Sequence, residues 1–123
     1  MANAFDLFSR APTSRADYRS ISTSDLRKLY RAARAAVANR DGCPVSELDD
    51  WYRLDAPCLT SIGWTRAEAF TSCAVEDLVA GWATVSVYES PETRLWSSME
   101  ATTIVTSEEV APRWRAFVRS ALA

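Results

Sequence analysis

A helical period of apolar residues begins shortly after position 20. The residues on this face are Leu26, Leu29, Tyr30, Ala33 and Val37. Their separations of three, four and seven positions place them on one side of an α-helix, which turns once every ~3.6 residues. Serine and aspartate at positions 22–25 offer N-caps, and Gly42 with Pro44 supplies a stop. The pattern therefore predicts a helix over about residues 24–39.

The first twenty residues show no sustained period. They mix serine, arginine and proline with a short apolar cluster that contains Phe5, Leu7 and Phe8. We expect an N-terminal arm over residues 1–20 that docks through its aromatic side chains. One domain is expected over residues 21–123, because a chain of this length serves a single core.

Two more helices are predicted before position 82. The first starts at Pro44, which suits an opening helical turn, and ends near Leu54. Its short apolar face consists of Val45, Leu48, Trp51 and Tyr52. The second opens with Thr65 and Glu68, which have the spacing of a capping box, and is closed by Gly81. Its apolar face consists of Phe70, Cys73, Ala74 and Leu78.

Strand-like composition follows that helix directly. Residues 82–88 (WATVSVY) are rich in β-branched and aromatic side chains, and residues 90–92 (SPE) are typical of a turn. Residues 95–106 then resume a similar composition. The two runs predict a β-hairpin.

The final element is predicted to be an amphipathic helix. Thr106 and Glu109 have capping-box spacing, although Pro112 moves the regular helix to about Ala111. Its apolar stripe consists of Trp114, Phe117, Val118, Ala121 and Leu122. Because no later element covers this stripe, we expect Trp114, Phe117, Val118 and Leu122 to form a homodimer interface. The alternative is that the helix packs back on the first helix.

Three helices, a β-hairpin and a C-terminal helix define an α+β, winged-helix-like fold. With residues 74–82 (AVEDLVAGW) and 103–109 (TIVTSEE), this order resembles winged helix-turn-helix bacterial regulators of the multidrug-resistance and phenolic-acid-response types, over about residues 44–109. The resemblance implies a dimeric DNA-binding transcriptional regulator that places the start of its third helix in the major groove. The implied DNA contacts are Thr60, Ser61, Trp64, Thr65, Arg66 and, on the wing, Arg94. Arg27 and Arg31 would add phosphate contacts.

Charge is distributed unevenly along the chain. Residues 1–40 carry eight Arg or Lys against three Asp, and residues 113–123 carry three Arg and no acid. Residues 41–112 carry three Arg against thirteen acids, whereas phosphate contact calls for a surplus of cations.

That acidic middle favours a second hypothesis. It is a small protein-binding module of phage or mobile-element origin that inhibits a basic nucleic-acid-binding protein, in the manner of anti-defence or anti-CRISPR inhibitors. Its candidate residues are Asp49, Asp50, Glu89 and Glu92. The regulator and the inhibitor hypotheses both stay open.

Catalytic chemistry is disfavoured because the chain contains no histidine, which excludes the usual triads. Three cysteines without a C-x-x-C pair do not suggest a metal site, and no phosphate-loop motif occurs. We therefore expect no enzyme activity, no cofactor and no metal. No apolar run approaches a membrane span and no signal peptide is recognisable, so a cytoplasmic location without membrane association is expected.

Overall fold

Helices make up all the regular secondary structure of the described residues, which are 5–88 and 107–123 of this computed structural model. The elements are α1 (Arg15–Arg19), α2 (Thr23–Asp41), α3 (Val45–Thr60), α4 (Arg66–Tyr88) and α5 (Ser107–Leu122). α4 contacts α1, α2, α3 and α5, and α5 also contacts α2. The core therefore forms around α4.

The predicted α+β, winged-helix-like fold is wrong. Residues 82–88, expected to be the first strand of the hairpin, continue α4 as a helix. The turn at 90–92 and the second run at 95–106 lie outside the described residues. Strand propensity is a weak preference that tertiary packing overrides. Here Trp82 packs against the core and meets the ring of Phe117 edge-on at 6.2 Å between centroids.

Gly81 lies inside α4 and does not end it, so the predicted helix stop is also wrong. Arg40, near the end of α2, donates from Nη1 to the Asp77 carbonyl at 3.0 Å. A Cβ at position 81 would lie 1.5 Å from that Nη1. The glycine therefore provides room for the Arg40 guanidinium. Gly42, with φ of 69°, is the left-handed residue that ends α2 where the sequence predicts.

α3 extends beyond the predicted end at Leu54 and reaches Thr60. It passes through Pro57, whose missing N–H removes one backbone hydrogen bond within the helix. Ala56, just before that proline, is buried at 3% exposure. Packing of this inner face therefore allows α3 to continue past Pro57, although proline usually ends a helix.

Residues 5–20 form part of the core and contain a helix that periodicity missed. α1 begins with a capping box between Ser14 and Asp17, and its Tyr18 is fully buried. Leu7 is buried at 7% exposure, while Phe8 is 44% exposed. The segment thus docks mainly through Leu7 and Tyr18, and Phe5 also packs against the core, whereas Phe8 does not.

The apolar stripe of α5 faces inward. Trp114 and Val118 have no exposed surface, and the Trp114 indole N–H donates to the carbonyl of Leu7. The Phe117 ring packs against that of Trp114 at 5.4 Å between centroids, and Leu122 packs on the core. The expectation that Trp114 and Val118 lie in a dimer interface is therefore corrected, because both are buried within this chain, where α5 contacts α2 and α4. Phe117 and Leu122 are partly buried, and a homodimer through them stays a prediction.

We expect Trp114→Ala to lower the free energy of unfolding by about 3–5 kcal/mol, because it opens a cavity in the core. Trp51→Ala is the matched control: Trp51 is 59% exposed, and its loss should change stability by no more than about 0.5 kcal/mol. Urea unfolding measures both, and light scattering gives the mass. A change in oligomeric state without loss of stability in Trp114→Ala would contradict this packing.

Candidate functional site

A cleft of about 430 Å³ opens between α2, α3 and α4. Its lining consists of Leu26, Arg27, Tyr30, Arg34, Asp49, Arg53, Arg66, Ala67, Phe70 and Thr71. A smaller cavity of about 180 Å³ shares Arg53, Arg66 and Phe70 with it. We call the larger of these two spaces, of about 430 Å³, the arginine cleft.

The charged side chains of the arginine cleft come from three helices. Arg27 and Arg34 lie seven residues apart on α2, which is close to two helical turns, so they project from the same side. Arg53 comes from α3, and Arg66 is the first residue of α4. Among the described residues, Asp49 is the one carboxylate in the lining. The cleft therefore has a surplus of three positive charges.

A hydrogen-bonded network fixes one side of the cleft. Arg34 donates from Nη1 to both carboxylate oxygens of Asp49, at 2.8 and 2.6 Å, and the Tyr30 hydroxyl donates to Asp49 Oδ1 at 2.6 Å. Burial raises the pKa of Asp49, but the hydrogen bonds from Tyr30 and Arg34 outweigh it and hold this pKa below its usual value. Burial, helped by the bond to Asp49, raises the pKa of Tyr30 to about 12. Near neutral pH the network therefore holds a carboxylate, a guanidinium and a neutral phenol.

Two aromatic rings line the cleft. Tyr30 and Phe70 meet edge-to-face, with centroids 5.9 Å apart and planes at 86°. The Arg34 guanidinium carbon lies 5.1 Å from the Tyr30 centroid, and that of Arg66 lies 5.3 Å from the Phe70 centroid. Such cation–π contacts hold arginines in place without neutralising their charge.

The residues predicted to contact DNA are dispersed. Arg27 and Arg66 both line the arginine cleft, whereas Arg31 is exposed on α2 and is not among the lining residues. Thr60 is the last residue of α3, and Ser61 is its C-cap. The predicted wing residue Arg94 lies outside the described residues.

Trp64 and Thr65 have structural contacts at the start of α4. Trp64 is half-buried, with its ring 5.6 Å from that of Tyr18. The Thr65 hydroxyl accepts from the Glu68 backbone N–H at 3.2 Å, and the Glu68 carboxylate accepts from the Thr65 N–H at 2.8 Å. This is the predicted capping box, and it occupies the Thr65 side chain.

The predicted acidic interface is divided in the same way. Asp49 is held inside the arginine cleft by Arg34 and Tyr30, while Asp50 is exposed and pairs with Arg53 at 2.7 Å. Glu89 and Glu92 lie outside the described residues. Asp50 is therefore the one member of this set that the structure places on the open surface.

A second surface lies on the outer side of α3, and sequence reasoning missed it. Trp51 is 59% exposed, Leu54 is 74% exposed and Cys58 is also exposed. They are spaced three and four residues apart, so they form one line along the helix. The exposed carboxylates around this line are Glu47, Asp50 and Asp55. We call Trp51, Leu54 and Cys58 the α3 stripe.

The sequence contained a signal for this stripe. The inner face of α3 follows Leu48, Tyr52 and Ala56, each four residues from the next and each buried. Trp51 and Leu54 fall outside that line. A helix with apolar lines on two sides cannot bury both lines against one core, so one of the two lines stays exposed.

In the described part of the chain, no helix is long and apolar enough to cross a membrane, and no cluster of three or more Cys, Asp or Glu side chains is arranged to hold a metal ion. Comparison of the chain with protein-family models, curated proteins and solved structures finds no match.

We expect Asp49→Asn to lower the free energy of unfolding near neutral pH by roughly 1–3 kcal/mol, since it weakens the bonds with Arg34 and Tyr30. The folded-state pKa of Asp49 lies below its unfolded value, so its contribution is complete above the unfolded pKa. It is lost as the pH falls through the folded pKa. Wild type and variant should therefore converge in acid.

Urea unfolding at a series of pH values measures this effect. Asp50→Asn is the control, because the Asp50 side chain is 72% exposed and its ion pair with Arg53 contributes little to stability. Equal losses from both substitutions, or a loss in Asp49→Asn that does not vary with pH, would contradict the assigned network.

Proposed function

We propose that this protein is a non-catalytic protein-binding module that docks on its partner through the α3 stripe. The observation that carries the proposal is the exposure of Trp51 and Leu54 side by side on one helix, although the protein has an inner core that buries Trp114 completely. Tryptophan is enriched among the residues that dominate the energy of protein interfaces.

The charges around the stripe favour one kind of partner. Glu47, Asp50 and Asp55 are exposed around it, and Glu47 and Asp50 share a shallow cavity of about 250 Å³ with Trp51 and Leu54. An apolar line bordered by carboxylates complements an amphipathic segment rich in lysine and arginine. We propose such a basic segment as the occupant. Nucleic-acid-binding proteins carry surfaces rich in lysine and arginine, which agrees with the inhibitor hypothesis.

DNA binding stays a prediction without its original support, since the winged-helix order of elements was the main reason for it. What now favours it is the exposure of Arg27, Arg31 and Arg66. A mobility-shift assay at low ionic strength tests it directly, because phosphate contacts strengthen as salt falls. Retardation that Arg66→Ala abolishes would favour the regulator over the binding module.

A designed helical peptide of lysine and leucine is the probe for the docking proposal. We expect it to bind the full chain and to shift the indole N–H resonance of Trp51 in NMR spectra. Trp51→Ala should weaken this binding by about 30-fold, which corresponds to ~2 kcal/mol. Glu47→Lys should slow association, because exposed charges act chiefly on the rate of encounter.

Two controls accompany the peptide titration. Phe8→Ala removes an exposed aromatic residue that is not part of the stripe and should leave the affinity unchanged. A peptide with glutamate in place of lysine should not bind. Equal binding of both peptides, or binding that survives Trp51→Ala, would refute the proposal. So would a dimeric mass that Trp51→Ala converts to a monomer, because a second copy would then occupy the stripe.

A further inference from the structure

The arginine cleft has features that docking through the α3 stripe does not require. Its volume of about 430 Å³ falls within the ~300–1,000 Å³ that is typical of small-molecule sites. It lies between three helices, with apolar walls at Leu26, Ala67 and Phe70. Concave, largely apolar space with a few placed polar groups is the usual form of a ligand site.

The positive charges in the arginine cleft favour an anionic ligand. Within the described residues, neither Arg27 nor Arg66 has a carboxylate partner, although each lines the cleft. Arg34 is held by Asp49, so its guanidinium is fixed before any ligand arrives. Preorganised guanidinium groups bind phosphate and carboxylate well, because their planar donors match the oxygens of these anions.

The aromatic lining of the cleft suits a flat ring. Tyr30 and Phe70 are both half-buried, and Arg34 and Arg66 lie over their rings. Aromatic rings and guanidinium planes are the surfaces on which heteroaromatic rings stack in proteins. An aliphatic anion would make no use of this arrangement, so the ligand that fits best combines a ring with an anionic group.

We propose that the arginine cleft binds a phosphate monoester that carries a flat ring, of the size of a nucleoside monophosphate. Arg27 and Arg66 contact the phosphate, and the ring stacks beside Tyr30 and Phe70. Asp49 sets the position of Arg34, and the surplus of arginines in the lining disfavours cationic ligands. The site lies on a different side of α3 from the stripe, so it stands or falls independently of the docking proposal.

Calorimetric titration of the full chain with adenosine monophosphate, adenosine and inorganic phosphate tests the proposal. We expect adenosine monophosphate to bind at least about ten-fold more tightly than either of its parts, because both the ring and the phosphate contribute. Arg66→Gln should weaken that binding by about ten-fold or more, since it removes a charged hydrogen-bond donor. Arg31→Gln, an exposed α2 arginine outside the cleft lining, is the matched control and should change the affinity less than two-fold.

A trinucleotide with a 5′-phosphate distinguishes a strand end from a free nucleotide as the source of this chemistry. Tighter binding than that of adenosine monophosphate supports a strand end, and weaker binding supports a free nucleotide. Three results would overturn the proposal: no saturable binding at millimolar adenosine monophosphate, equal effects of Arg66→Gln and Arg31→Gln, or trinucleotide binding that does not need the phosphate. Circular dichroism of both variants confirms that each remains folded.

Discussion

The packing of α2 against α4 is the contact on which the rest of the structure depends. Ala33 and Val37 of α2 and Ala74 and Val75 of α4 are buried to within 1% exposure, and these small or β-branched side chains occupy the core. Gly81 extends the contact by leaving room for a guanidinium from the end of α2. α1, α3 and α5 each contact α4 as well. Loss of the α2–α4 contact would therefore expose the inner faces of the other helices too.

Both candidate surfaces follow from how α3 lies on this pair of helices. Its inner side is fixed by Tyr52, which is 2% exposed and donates its hydroxyl to Asp77 Oδ2 at 3.1 Å. That orientation turns Trp51 and Leu54 outward and places Asp49 at the edge facing α2. One helix thus separates an apolar surface bordered by carboxylates from a cleft lined by arginines. The opposing charges of the two surfaces make them suited to different ligands.

Local signals in the sequence predict the parts of this fold that local chemistry determines. The Thr65–Glu68 capping box forms as its spacing indicates, because both of its hydrogen bonds lie within one helical turn. Local signals fail where distant packing decides, as at Gly81 and at residues 82–88. The strand preference of these residues is small beside the packing of α4 through Val75, Leu78 and Trp82. Local signals in the sequence could not predict the arginine cleft. Its central pair of Arg34 and Asp49 joins residues fifteen apart on two helices, and sequence spacing does not reveal that proximity.

The helical continuation of α4 through residues 82–88 is the central structural claim, because it replaces the expected hairpin with an all-helical core in the described residues. Backbone ¹³Cα chemical shifts of these seven residues in the full chain test it most directly. Shifts displaced from their random-coil values in the helical direction, continuous with those of Asp77 and Gly81, are the predicted result. Displacement in the extended direction from Trp82 onward would contradict the claim and restore the strand.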